Sequence, residues 1–191
     1  MRSNQPVGLG MTEDERRDFL NGYDFLVFDL RGASGSDLPQ ILARWLGYVE
    51  ANPDAAAALV AIEAQADMAA WFANLKSSAR ESEGTGPLGS FELPWSFNPT
   101  TYLAERLGLL RRFARRELNV QDFVVRFMYE SGRTSPDAAA QRIVEKFAEP
   151  AFRELREWLR SRLADAPAPI ASFASTTIAP PTSTRSGSSM S

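Results

Sequence analysis

The sequence LAERLGLLRRFARREL, residues 103–118, decides the fold class. Its apolar residues recur every three or four positions, at Leu103, Leu107, Leu110, Ala114 and Leu118. That spacing places them on one face of an α-helix, whereas a strand with one buried face alternates every second residue. The stretch therefore predicts an amphipathic helix whose apolar face packs against other helices.

Three further helix starts follow this stretch. Each start has an N-cap residue, a proline at the first helical position, or both. The three starts lie at Asn119, Ser135 and Pro150. We expect the helix that begins after Asn119 to run until Gly132. Apolar residues recur at helical spacing behind all three starts, which predicts four helices in the second half of the chain.

The first half predicts three helices. Thr12 and Glu15 form a capping box ahead of a helix over residues 13–31. Within it Tyr23–Leu30 is rich in aromatic residues and follows Asn-Gly, so a strand is the alternative there. Ser36 caps the second predicted helix. Asn52 caps the third, which we expect to end near residues 76–80.

The predicted fold is all-α, an irregular bundle of about seven helices in two subgroups, residues 12–80 and 100–164. An extended arm rich in Gly, Pro and aromatic residues, 81–99, joins the subgroups. Residues 1–11 are predicted to be a disordered N-terminal arm. Residues 165–191, rich in Ala, Pro, Ser and Thr, are predicted to be a disordered tail, because they cannot bury enough apolar surface to offset chain entropy.

The composition excludes several chemistries. The chain of 191 residues has no histidine and no cysteine, which removes the usual proton shuttle near neutral pH, the commonest metal ligand and the thiol nucleophile. We therefore expect no enzymatic activity, no catalytic residues, no cofactor and no metal. Glu63 and Asp67 would share one helix face, so an enzyme that uses carboxylates and a divalent cation stays an alternative.

The composition also bears on location. No uninterrupted apolar stretch reaches the roughly 20 residues of a membrane span, and residues 1–10 lack the apolar core of a secretory signal. We expect a cytoplasmic protein with no membrane contact. The 19 arginines against two lysines, together with abundant alanine, indicate a GC-rich bacterial genome.

Four arginines form the first candidate partner-binding site. Arg111, Arg112, Arg115 and Arg116 lie on the arc opposite the apolar stripe, in two i,i+4 pairs. Like charges at that spacing destabilise an isolated helix, so carboxylates of the first half, an acidic partner or phosphate should offset them. The first half carries 7 basic and 14 acidic residues, and residues 98–191 carry 14 and 10, which favours docking of the two halves.

The aromatic part of the arm is the second candidate. Large apolar residues occupy every second position, at Phe91, Leu93, Trp95 and Phe97. This period of two predicts an extended segment with one apolar face. We expect that face to lie in a groove of its own chain; the alternative is contact with a partner or with a second copy of the chain.

A short stretch is similar to a known family. Residues 107–127 have a Phe in the first helix, a Glu-Leu-Asn turn at 117–119, and a second helix with Phe123 and Phe127. This pattern loosely resembles the helix pair of small bacterial immunity proteins of the colicin D type. The resemblance covers about 20 of the 191 residues and implies a toxin as partner.

These observations favour a non-enzymatic bacterial protein that binds another protein, or itself as a homo-oligomer. Its role would be that of an adaptor, an assembly subunit or an immunity-type factor. The first alternative is a helical subunit associated with nucleic acid, which would use the four arginines on phosphates. The second is the metal-dependent enzyme named above.

Overall fold

All regular structure in the described part of the chain is helical. The computed structural model describes residues 11–82, 93–128 and 134–164. Its helices are α1 (Glu13–Leu30), α2 (Leu38–Ala51), α3 (Pro53–Glu63), α4 (Met68–Ser82), α5 (Pro99–Ala114), α6 (Val120–Phe127), α7 (Pro136–Ile143) and α8 (Glu149–Ala164). A π-helical turn, Val144–Ala148, joins α7 to α8, so these ranges hold seven continuous helices and no strand. The predicted all-α class is confirmed. Residues 1–10 and the predicted tail lie outside the described residues.

Side-chain caps start four of the helices where the sequence predicts them. In each case a side-chain oxygen accepts hydrogen bonds from backbone N–H groups of the first turn, and the residues are Thr12, Asn52, Asn119 and Ser135. Thr12 and Glu15 also complete the predicted capping box, with the Thr12 N–H donating to Glu15 Oε2 at 2.7 Å. Helix α1 includes Tyr23–Leu30, so the strand alternative is wrong.

The second helix begins later than the sequence predicts. Its N-cap is Asp37 rather than Ser36, and no side chain caps its first turn. The Ser34 carbonyl accepts from the N–H groups of Asp37 (3.1 Å) and Leu38 (3.0 Å). The turn that precedes α2 therefore satisfies N–H groups that a side-chain cap would otherwise serve.

The third predicted helix is two helices in the structure, α3 and α4, which meet at an angle of 45°. Asp67 causes the restart, because its Oδ1 accepts from the N–H groups of Ala69 and Ala70, both at 3.0 Å. Glu63 ends α3 while Asp67 stands before α4. The expectation that these two carboxylates share one helix face is therefore wrong.

The second half also differs from the predicted boundaries. The stripe was expected to continue to Leu118, but α5 ends at Ala114 in a Schellman motif. There the Glu117 N–H donates to the Arg112 carbonyl at 2.9 Å, and Arg116 has a φ of 58°. Helix α6 ends at Phe127 rather than at Gly132, and 129–133 lie outside the described residues.

The two halves share one core. Tyr23 of α1, Trp45 of α2 and Phe152 of α8 form an aromatic cluster, in which Trp45 and Phe152 stack with centroids 4.0 Å apart. The Tyr23 hydroxyl donates to the Phe152 carbonyl at 2.8 Å, and burial raises the pKa of Tyr23. Because buried side chains of both halves belong to one cluster, the expected division into two subgroups is not confirmed.

No single described helix has both the length and the apolar composition that a membrane span requires. Helices α3 and α4 meet those criteria when they are taken together as a bent pair.

Candidate binding groove

The described part of the arm packs on the helices through Trp95. The Trp95 ring lies 4.9 Å from the Trp71 ring of α4, 5.4 Å from Phe147 of the π turn and 5.5 Å from Tyr102 of α5. Leu93 is also partly buried against the core. Rings from three separate elements therefore hold the arm in place, and such aromatic pairs add to the energy of area burial.

The described part of the arm is not regularly extended. The Trp95 N–H donates to the Leu93 carbonyl at 2.7 Å, a three-residue turn that breaks the alternation of an extended chain. Phe97 lies two residues beyond Trp95 and is completely exposed, at 105%, although it lines the same groove as Leu93 and Trp95. Leu93 and Trp95 therefore pack on their own chain as the sequence predicts, and Phe97 does not. Phe91 lies outside the described residues.

A groove with a volume of about 900 Å³ opens beside Trp95. The arm forms one wall, and α5, the end of α6 and the π turn form the others. Its aromatic lining consists of Trp95, Phe97, Tyr102, Phe127 and Phe147. Exposed apolar surface in a concave site is the usual mark of a binding site in a folded protein.

The π turn places two residues of the groove, Lys146 and Phe147. Pro150 follows the turn, has no N–H and would clash with the carbonyl four residues earlier, so a regular α-helical ladder cannot pass it. The Glu149 N–H donates instead to the Val144 carbonyl, five residues back. Helix α8 begins at Glu149, one residue before Pro150, so the predicted start of the last helix is confirmed; the π turn joins α7 to α8 without a loop, which the sequence analysis did not predict. Such π turns are frequent at functional sites.

The buried carboxylate of Glu105 in α5 holds the arm through a hydrogen bond to its backbone. The Ser96 N–H donates to Glu105 Oε2 at 2.8 Å, and Glu105 is 7% exposed. Burial raises the pKa of Glu105, and the hydrogen bond from Ser96 opposes that shift. The neighbouring Arg106 is 1% exposed, pairs with Glu154 and lies 4.0 Å from the centre of the Tyr102 ring.

One of the four candidate arginines, Arg111, is held by carboxylates of its own chain. Arg111 is 17% exposed and joins α5 to α2 and α3, because its Nη1 and Nε donate to Glu50 and Glu63, each at 2.7 Å. Burial opposes the charge on Arg111, but the hydrogen bonds to the two carboxylates outweigh it and raise the pKa of the guanidinium.

The other three arginines lie near the C-terminus of α5. Arg112 stacks 4.4 Å from the centre of the Phe72 ring, and its Nη1 is 3.7 Å from a Glu117 oxygen. Arg115 is 4.0 Å from the same carboxylate. Arg116 is exposed in the left-handed turn that ends the helix. Carboxylates and an aromatic ring of the chain thus offset the like charges of three arginines.

Sequence reasoning missed the helical walls of the groove. Tyr102, Phe127, Phe147 and Lys146 were not candidates, because the apolar members of this set follow the helical spacing of ordinary core residues. Pro150 inside a helical pattern was a usable signal for the irregular turn. Two exposed phenylalanines of α1 were also missed, Phe25 at 66% and Phe28 at 68%.

Comparisons with known proteins identify no relative of this chain. The chain matches no protein-family model, and neither a curated protein nor a solved structure is detectably similar to it. Within the described residues, no three Asp or Glu side chains converge in a way that could hold a metal ion.

Proposed function

We propose that this chain is a non-enzymatic protein-binding module whose groove beside Trp95 holds an apolar segment of a partner protein. The observation that carries the proposal is a groove lined mainly by aromatic and apolar residues, in which Phe97 is fully exposed and Trp95 and Tyr102 are partly exposed. Aromatic and Met side chains are enriched in the buried centres of protein interfaces, and Met128 also lines this groove. An adaptor, an assembly subunit or an immunity-type factor would use such a groove, and a cytoplasmic location remains a prediction.

The arginines support this choice of partner over nucleic acid. Binding to phosphates requires cations that can release their counterions and face the polyanion together. Arg111 instead bridges two carboxylates, and Glu117 lies within 4.0 Å of both Arg112 and Arg115. Among the described lining residues Lys146 is the one with a charged side chain, and most of the others are apolar or aromatic.

Selection from a peptide-display library tests the proposal, followed by measurement of each selected peptide by fluorescence anisotropy. We compare the Phe97→Ser variant with Phe25→Ser as a matched control, since both residues are exposed and neither substitution opens the core. We expect Phe97→Ser to weaken binding by about tenfold, equivalent to about 1.4 kcal/mol. Phe25→Ser should leave the affinity unchanged.

Two results would contradict the proposal. One is that no peptide is selected, either by the unaltered chain or by a chain with the substitutions Ile170→Ser and Phe173→Ser. The other is a set of peptides that bind equally well to the unaltered chain and to the Phe97→Ser variant.

A further inference from the structure

We infer that the groove takes a proline-rich extended segment, and that residues 166–181 of the same chain are its occupant. This inference rests on the proposed function, because it names what fills the proposed binding groove. It also assigns a regulatory consequence, since a partner then has to displace a segment of the chain itself.

The chemistry of the groove suits a polyproline II segment. Such a segment has no internal hydrogen bonds and docks flat prolyl rings and its carbonyl groups against aromatic side chains. The rings of Trp95 and Tyr102 lie 5.5 Å apart in an edge-on arrangement, and both line the groove. The Trp95 indole N–H and the Tyr102 hydroxyl are hydrogen-bond donors on partly exposed side chains that line the groove. Two donors are thus present beside an apolar surface.

The segment has the matching composition. Residues 166–181 read APAPIASFASTTIAPP, with four prolines and no charged residue. Its bulky apolar residues are Ile170, Phe173 and Ile178. Among the described residues that line the groove, Lys146 is the one charged residue, which suits an uncharged occupant. An aromatic residue beside prolines also supplies a side chain that can pack against the groove wall.

The geometry of α8 sets the reach. The groove contains Lys146, and α8 ends at Ala164, 18 residues later along one continuous helix. At a rise of 1.5 Å per residue this separation is about 27 Å. Nine residues of polyproline II span about 28 Å, at 3.1 Å per residue. Residues 165–173 can therefore run back beside α8 and bring Phe173 to the groove.

A tethered occupant competes strongly even when its contacts are weak. Short linkers give effective concentrations in the millimolar range. A segment with a dissociation constant of about 1 mM would then occupy the groove for about half of the time. A partner's apparent association constant is its intrinsic value multiplied by the fraction of grooves that remain open.

The chain has no cysteine, which allows a single spin label to be placed without removing any residue. We introduce Ser172→Cys in the full chain, attach a nitroxide and record the indole N–H signals by NMR, with Trp95→Phe to assign the Trp95 signal. We expect the label to broaden that signal strongly. The control carries the same label together with Ile170→Ser and Phe173→Ser, and there the signal should recover at least half of its intensity.

Equal broadening of the Trp95 signal in the spin-labelled chain and in the spin-labelled control with Ile170→Ser and Phe173→Ser would overturn the inference. So would strong broadening of the Trp95 signal in isotope-labelled chains that carry no nitroxide, after they are mixed with spin-labelled chains, because the occupant would then come from a second copy. Peptides selected by display provide the second arm. We expect them to bind the Ile170→Ser, Phe173→Ser chain at least about twofold more tightly than the unaltered chain. Equal affinity for both chains would refute self-occupancy while leaving the proposed function intact.

Discussion

Replacing Arg111 by methionine should lower the free energy of unfolding by about 2 kcal/mol. Hydrogen bonds to charged groups contribute roughly 1.5–3 kcal/mol when they are buried, and exposed ion pairs contribute about 0–1 kcal/mol. The Glu63 side chain is 22% exposed and Glu50 is 44% exposed. We therefore assign about 1.5 kcal/mol to the first pair and about 0.5 kcal/mol to the second. Methionine keeps the apolar stem of Arg111 but leaves both carboxylates without their partner.

The matched control is Arg115→Met, which removes the same charge one helical turn later. Arg115 is 56% exposed and reaches Glu117 only at 4.0 Å, so its loss should cost less than about 0.5 kcal/mol. The assay is urea denaturation followed by circular dichroism at neutral pH. For a chain of this length the Arg111 variant should also melt about 4–8 °C lower. Equal losses for the two variants would refute the assignment of Arg111 to a structural role and return it to the candidates for partner binding.

Three further predictions concern local geometry and pH, and denaturation measurements check all of them. Gly47→Ala should raise the free energy of unfolding by about 0.8–1 kcal/mol, because the position is helical and no atom lies near a new Cβ. Gly35→Ala should lower the free energy of unfolding by about 2 kcal/mol or more, because the new Cβ would lie 2.4 Å from the Pro136 carbonyl carbon. Equal effects at the two glycines would contradict this contrast. Arg116→Gly should stabilise the chain by about 0.5–1 kcal/mol, since glycine adopts a φ of 58° without strain; a loss of stability would count against it. The raised pKa of Glu105 means that its stabilising contribution is complete below the ordinary value of 4.5 and is lost as the pH rises through the higher folded value. Glu105→Gln should therefore remove a fall in stability that begins near pH 4.5 and ends above the raised pKa of Glu105, and parallel pH curves for the two chains would show that burial does not shift the pKa of this carboxyl.

Local signals in the sequence determined the class of fold and most helix starts. The caps at Thr12, Asn52, Asn119 and Ser135 depend on hydrogen bonds within three residues of each cap, so short stretches of sequence contain all of the necessary information. Apolar spacing likewise predicted that residues such as Tyr23, Leu107 and Phe152 face inward, and they are buried. Both signals work because helix geometry is set by neighbours along the chain.

Tertiary packing decided the boundaries and the candidate site. A helix pattern runs through residues 53–80 without an obvious stop, yet the chain turns by 45° where Asp67 can cap a second helix. The groove joins Trp95, Tyr102, Phe127 and Phe147, which are up to 52 residues apart in the chain. No periodicity relates residues at such distances, because their contacts depend on how whole helices are positioned.

The roles of the charged residues also depend on how whole helices are positioned, and the sequence does not predict this. Composition alone establishes an acidic first half and a basic second half, and the pattern marks Arg111, Arg112, Arg115 and Arg116 as four similar residues. Their roles differ because only one of them, Arg111, lies where α5 crosses both α2 and α3 and meets two carboxylates. Local sequence determines which residues are helical and charged; the three-dimensional packing of the helices determines which charges are neutralised and which aromatic side chains remain open to a ligand.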